Sequence, residues 1–158
     1  MIILGVDPGT QRIGYGVVEH VDGKISLIDA GLLKIETESD VRALHETRKE
    51  IIILIERFNP AILSIEKLYF MKNRKTGIQV AQARGVIISA AVEHDVEIKE
   101  FGPNEIKLGV TGYGRSDKKA VLKMVRLILN NPSLDIIDDA SDALAAAIIA
   151  CRRRSELS

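Results

Sequence analysis

The chain opens with an apolar run that ends abruptly in an acid. Residues 2–6 are Ile, Ile, Leu, Gly and Val, and Asp7 and the turn-forming pair Pro8-Gly9 follow directly. A continuous apolar run bounded by turn residues predicts a strand buried on both faces. Asp7 then has two interpretations. It caps the turn, as Asp often does, or it meets a cation there, because burial of an unpaired carboxylate is costly.

The order of the following segments predicts a mixed α/β sheet. Two β-rich runs, 13–20 and 24–35, flank Asp22-Gly23, so strands one to three are expected to form an antiparallel meander. Each later strand follows a helix, so strands four and five are expected to run parallel to strand one. The remaining elements are predicted as helix 40–58, strand 61–66, helix 76–94, strand 96–101, helix 104–110, a helix from a Ser116 cap to 129, and helix 138–154.

Composition excludes several classes of protein. The 158 residues, 46% of them hydrophobic and 28% charged, are typical of one globular domain spanning residues 1–158. No apolar run reaches the roughly 20 residues of a membrane span, and no signal peptide pattern is visible. A single cysteine, Cys151, suits a cytoplasmic protein. Neither a dinucleotide-binding GxGxxG pattern nor a phosphate-binding P-loop is present.

Four acids occupy comparable positions. Asp7 ends the first strand and Glu66 ends the fourth, so parallel pairing of these strands would bring both carboxylates to one sheet edge. The last helix opens with Asp138-Asp139-Ala140-Ser141-Asp142, in which Asp139 and Asp142 border the apolar stripe. Asp138 and Ser141 are expected to point outward.

Helix capping explains one or two of the helix acids, but not acids that end two apolar strands. Clustered carboxylates repel and raise one another's pKa, and a divalent cation relieves this. Carboxylate and water ligands suit Mg²⁺, with Mn²⁺ as a substitute, whereas no His/Cys cluster for zinc is present. Two such ions, roughly 3.5–4 Å apart, can cleave a phosphodiester.

Motifs along nearly the whole chain resemble the RuvC family of Holliday junction resolvases. They are Asp7-Pro8-Gly9-Thr10 with Gly14-Tyr15-Gly16, Ile65-Glu66, Gln82-Ala83-Arg84-Gly85 and Asp139-Ala140-Ser141-Asp142-Ala143-Leu144-Ala145. The resemblance implies an RNase H-like fold, a homodimer, Mg²⁺-dependent symmetrical nicking of four-way DNA junctions in recombination and repair, and a RuvA-RuvB branch-migration complex as partner. It places the family's four metal-binding acids on Asp7, Glu66, Asp139 and Asp142.

The same resemblance places DNA-contacting lysines on Lys107 and Lys118, and a junction-facing aromatic on Tyr69. Because Phe70 is adjacent, which ring stacks at the junction stays open. Two basic tracts, 67–84 with five cations and no acid and 107–126 with six cations and one acid, agree with a polyanionic partner, although such tracts are also typical of solvated faces. The predicted DNA contacts are Tyr69, Phe70, Lys72, Arg74, Lys75, Arg84, Lys107, Arg115, Lys118 and Lys119.

The helix over 76–94 is apolar on more than one face, which predicts a dimer seam. Two other functions are considered. An ATP-binding domain of the actin–sugar kinase type also opens with Asp-x-Gly-Thr, but it needs two such domains around its nucleotide. A junction-binding module without catalysis would be signalled by a missing acid, and all four acids are present.

Overall fold

A computed structural model of the protein describes residues 1–69 and 74–155. Its five strands form one mixed sheet in the order β3-β2-β1-β4-β5. The strands are β1 (Ile2–Asp7), β2 (Arg12–Val21), β3 (Lys24–Lys34), β4 (Ile62–Glu66) and β5 (Glu97–Phe101). The first three strands are antiparallel neighbours, whereas β4 is parallel to both β1 and β5. The predicted topology is therefore confirmed.

Five helices cover the two faces of this sheet: α1 (Asp40–Phe58), α2 (Arg74–Glu93), α3 (Pro103–Thr111), α4 (Lys118–Ile128) and α5 (Asp138–Ser155). Leu4 and Val6 of β1 belong to the core beneath α1 and α2. Ile3, on the opposite face, belongs to the core formed with α3, α4 and α5. Strand β1 is thus buried on both faces, as its continuous apolar run predicts. No helix in the described part of the chain is long and apolar enough to cross a membrane.

The predicted start of α4 is wrong by one residue. Asp117, not Ser116, caps the helix, and its side chain accepts a hydrogen bond from the Ala120 N–H at 2.8 Å. The Ser116 hydroxyl donates instead to the Tyr113 carbonyl at 2.7 Å and lies 2.7 Å from the Thr111 hydroxyl. The serine therefore closes the preceding loop, which leaves the cap to its neighbour.

Helix α5 lies unusually close to the sheet because glycines face it. A methyl group on Gly5 would overlap the Ala143 carbonyl, and one on Gly16 would lie 2.6 Å from the Leu144 side chain. The Ser64 hydroxyl on β4 also donates to the Ala146 carbonyl at 2.6 Å. The expectation for Ser141 is wrong: the residue is only 5% exposed, on a helix that packs against α3 and α4 as well as the sheet.

Candidate active site

The ends of β1 and β4 bring two acids side by side. The strands pair in parallel with Gly5 opposite Ser64 and Val6 opposite Ile65, so Asp7 and Glu66 come next in register. They share the face of Gly5 and Ser64, which is the face that α5 covers. Both acids are half-buried at the end of the sheet. The predicted convergence of the two strand ends is present in the structure.

Helix α5 adds the other two acids to the same place. Gly14 of β2 pairs with Asp7, and a methyl group on it would lie 2.9 Å from the Asp139 Cβ. The backbone of Asp139 therefore lies directly over β2, the strand beside Asp7. The side chains of Asp139 and Asp142 are 32% and 33% exposed. Asp138 points outward as predicted and is 70% exposed.

The four carboxyl groups lie near enough to perturb one another. Burial, followed by repulsion from Asp142, Glu66 and Asp139, raises the pKa of Asp7 to about 7. Burial and the charge of Asp142 also raise the pKa of Glu66. Burial is again the main cause of the raised pKa of Asp142. A cluster of this kind is costly to ionise, and it is typical of functional sites.

Two basic side chains contact the acids of α5. The Lys118 ammonium, on the first residue of α4, lies 3.3 Å from an Asp142 carboxylate oxygen and 3.6 Å from Asp138. Attraction to Asp142 is the main cause of the raised pKa of Lys118. The Arg12 guanidinium, from the start of β2, lies 3.3 Å from Asp139. Sequence reasoning missed Arg12, because its contact with the cluster depends on how α5 docks.

The donor set fits a hard divalent cation, although the present side-chain conformations do not form a ligand cage. Among residues 1–69 and 74–155, no three His, Cys, Asp or Glu side chains are arranged to hold a metal ion. The Asp142 and Asp139 carboxylates contact Lys118 and Arg12 instead. Carboxylate oxygens that repel one another at one sheet edge remain the ligand chemistry that Mg²⁺ and Mn²⁺ prefer. Rotation away from the two basic side chains would free these oxygens.

The metal-free protein should lose stability as pH rises. Asp7 has a folded-state pKa of about 7 against 3.8 for the unfolded chain, so the folded state retains a proton that the unfolded state loses between these values. The free energy of unfolding should therefore fall by roughly 2–3 kcal/mol between pH 5 and pH 8. Urea titrations in EDTA measure this fall, and Asp7→Asn should remove most of it. Equal pH dependence in both proteins would contradict the electrostatic picture.

Of the predicted aromatic and basic residues, Tyr69 and Lys107 lie near the four acids. Tyr69 is 61% exposed, and its hydroxyl lies against Gly102, the N-cap of α3. With Asp7, Glu66 and Pro103 it lines a cleft of about 340 Å³. Lys107 on α3 is close enough for its charge to offset part of the rise in the pKa of Glu66.

The other predicted DNA contacts are less closely tied to the acids. Lys75, Arg115 and Lys119 are exposed. Phe70 and Lys72 lie outside the described residues, and the Arg74 side chain is likewise not described.

The Arg84 side chain is bonded to other residues of the protein, which argues against the predicted DNA contact. Its Nε donates to the Glu66 carbonyl at 3.1 Å, and its guanidinium forms an ion pair with Glu100 of β5. The side chain is only 18% exposed. Arg84 thus ties α2 to the ends of β4 and β5 and fixes the backbone that carries Glu66. Its position in a basic tract gave no signal of this burial.

Comparison with known proteins agrees with this geometry. Residues 3–150 match the family model of crossover junction endodeoxyribonuclease RuvC. The crossover junction endodeoxyribonuclease RuvC of Thermosipho melanesiensis is 44% identical over 148 residues, covering 93% of this chain and 94% of that protein.

Two solved structures share the whole fold. Thermus thermophilus RuvC superposes with a TM-score of 0.87 at 27% identity, covering 99% of this chain and 97% of the other. T. thermophilus RuvC in complex with a Holliday junction substrate also gives 0.87, at 25% identity, with 98% and 96% covered. The mixed sheet flanked by helices is therefore the RNase H-like architecture of these resolvases, and the chain belongs to the RuvC family of crossover junction endodeoxyribonucleases.

Proposed function

We propose that this chain resolves four-way (Holliday) DNA junctions by paired symmetrical nicks, through metal-assisted phosphodiester hydrolysis, in recombination and repair. The observation that carries the proposal is the convergence of Asp7, Glu66, Asp139 and Asp142 at one end of the sheet, where burial and mutual repulsion raise the pKa of Asp7 to about 7. The relative solved with a Holliday junction substrate supports the choice of DNA substrate.

The four acids are proposed as the metal-binding and catalytic residues. Asp7 lies on β1, between β4, which carries Glu66, and β2, over which Asp139 lies, so it would be the central metal ligand, and Glu66, Asp139 and Asp142 would complete the ligand set. Two Mg²⁺ ions, with Mn²⁺ as substitute, are proposed per site; bound there, such ions supply an activated water and stabilise charge on the leaving oxygen. The acids themselves hold and orient this centre on rigid elements, two strand ends and one helix.

The basic and aromatic residues around the acids are proposed to hold the DNA. Lys107 and Lys118 flank the acids, and their ammonium groups would bind phosphates without reading base sequence. Exposed Lys75, Arg115 and Lys119 would extend this electrostatic contact. Tyr69 or Phe70 would stack on a base at the junction, and stacking of this kind contributes roughly 1–3 kcal/mol per base.

Residues 1–158 are proposed to act as one nuclease domain within a homodimer. Paired symmetrical cuts need two sites related by a twofold axis, which a C₂ dimer supplies. Helix α2 carries a candidate seam, since Ile78 and Val92 are 61% and 58% exposed while Ala83, Ile87, Ala90 and Ala91 are buried. A RuvA-RuvB complex is proposed as partner by family resemblance. The single buried thiol, Cys151, suits the reducing cytoplasm in which we place the protein.

Ile78→Glu should convert the dimer to a monomer. A charge placed on an apolar seam is buried without a partner when two copies associate, and this costs several kcal/mol per copy. Light scattering at micromolar concentration measures the mass of both proteins. Lys49→Glu, on the exposed side of α1, is the control. A wild-type monomer, or an Ile78→Glu dimer of unchanged stability, would contradict the seam.

A cleavage assay tests the proposed function as a whole. A synthetic four-way junction and a linear duplex of the same sequence are incubated with the protein and Mg²⁺, with all strands labelled. We expect paired nicks at symmetrical positions in the junction, with 5′-phosphate and 3′-hydroxyl ends, and none in EDTA or in the duplex. Binding without nicks, in Mg²⁺ and in Mn²⁺, would leave a junction-binding module and reject the enzyme.

A further inference from the structure

A groove of about 630 Å³ opens beside the acids, between the ends of β2 and β3 and the start of α5. Its lining includes Arg12, Leu32, Lys34 and Ile137, together with the segment from Ile35 to Glu38. We propose that this groove is a second DNA-binding subsite, in which Arg12 and Lys34 hold a backbone phosphate of the cleaved strand next to the phosphate that is cut. The inference rests on the proposed function of the four acids.

Two like charges lie side by side in the lining of the groove. Arg12 and Lys34 are directly paired across β2 and β3, and both are exposed. Like charges directly opposite one another in an antiparallel pair destabilise the sheet. Lys34 forms no ion pair with any residue in the described part of the chain. An anionic ligand between the two side chains would offset their repulsion.

The groove is continuous with the cluster of four acids. Arg12 shares a sheet face with Gly14, two residues later, and Gly14 lies beneath Asp139. The Arg12 guanidinium reaches the Asp139 carboxylate at 3.3 Å. One end of the groove therefore begins at the acidic cluster itself. A DNA strand held for cleavage carries its next phosphate only one nucleotide away, at the entrance of this groove.

The groove is lined by both apolar and charged side chains. Ile137, 43% exposed, and Leu32 give the groove an apolar side that suits the sugar or base attached to a bound phosphate. A groove of this volume accommodates a ligand of nucleotide size. Glu36 and Glu38 also line the groove, and because their carboxylates would repel phosphates, we expect the backbone contact at Arg12 and Lys34. An acidic protein segment would meet the same two basic residues, but it lacks the connection to the reacting phosphate.

Binding measured in EDTA tests the proposal without cleavage. The full chain and an Arg12→Ala/Lys34→Ala variant are titrated with a fluorescent four-way junction at several NaCl concentrations. Each phosphate contact contributes about 0.9 to the slope of log K against log[salt]. We therefore expect the double variant to lose roughly 1–2 from that slope and to bind about 10-fold more weakly at low salt.

Lys24→Ala is the matched control, because Lys24 is an exposed cation on the same hairpin but begins β3, about 30 Å from Lys34 along the strand. It should leave the slope unchanged. Arg12→Lys should restore most of the affinity lost in Arg12→Ala, because it keeps the positive charge. Melting temperatures of all variants establish that they are folded.

A neutral methylphosphonate gives the position of the contact. Placed at the phosphate next to the cut, on one side and then on the other, it should weaken wild-type binding on one side only, and there the double variant should lose nothing further. A double variant with the wild-type salt slope would overturn the proposal, even if the wild type binds and cleaves junctions. Failure of the wild type to bind a junction would instead reject the proposed function.

Discussion

Asp7→Asn should abolish junction nicking while leaving junction affinity within a few-fold of the wild type. The substitution keeps the shape of the side chain but removes the charge of the carboxylate that lies between Glu66 and the acids of α5. Loss of a central metal ligand should cost roughly 4 kcal/mol of transition-state stabilisation, which corresponds to about a 10³-fold slower reaction. Phosphate and base contacts lie on other residues, so binding should persist.

Single-turnover cleavage in Mg²⁺ and anisotropy titration in EDTA measure the two effects separately. Asp138→Asn is the matched control: it makes the same chemical change at an acid next to the cluster, on α5, but the Asp138 side chain is 70% exposed and points outward. Its nicking rate should change by a few-fold at most. Loss of folding or of junction binding in Asp7→Asn would mean that the aspartate is a structural turn cap and not a metal ligand.

Gly5→Val should both destabilise the protein and remove nicking. Gly5 lies so close beneath α5 that even a methyl group would overlap the Ala143 carbonyl and come within 2.9 Å of the Ala147 nitrogen. Overpacking of a core typically costs 1–3 kcal/mol, and the loss should reach or exceed about 3 kcal/mol here because backbone, not a flexible side chain, blocks the new group. Displacement of α5 would also carry Asp139 and Asp142 away from Asp7.

Urea denaturation and the cleavage assay measure these losses together. Ser26→Val is the control, because it places the same side chain at an exposed position of β3. It should change the free energy of unfolding by about 0.5 kcal/mol at most. If Gly5→Val proved as stable and active as the wild type, the close approach of α5 would not be what sets the active-site geometry.

Much of the sheet could be predicted because its signals are local. The apolar run of β1, the Asp22-Gly23 turn and the break at Asn59-Pro60 each leave a mark in a few consecutive residues. The convergence of Asp7 and Glu66 followed from one further rule, that neighbouring parallel strands end at the same edge. These two acids occupy equivalent registers in β1 and β4.

What the sequence did not predict depends on contacts between distant segments. The charge pattern makes Arg84 another member of a basic tract, yet β4 and β5 bury it beside Glu66 and Glu100. Arg12 reaches Asp139 only because Gly14 lets α5 descend onto β2. Ser141 is buried on a helix that packs against other helices and the sheet, contacts that a single-helix projection does not include.

Anomalous diffraction from crystals soaked in Mn²⁺ shows directly whether the four acids bind metal, because it locates ions without relying on activity. We expect an anomalous peak within ligand distance of the Asp7 carboxylate and of at least one acid of α5, with the Asp142 side chain turned away from Lys118. A structure at saturating Mn²⁺ with no peak near Asp7, and with Lys118 and Arg12 still bound to Asp142 and Asp139, would contradict it.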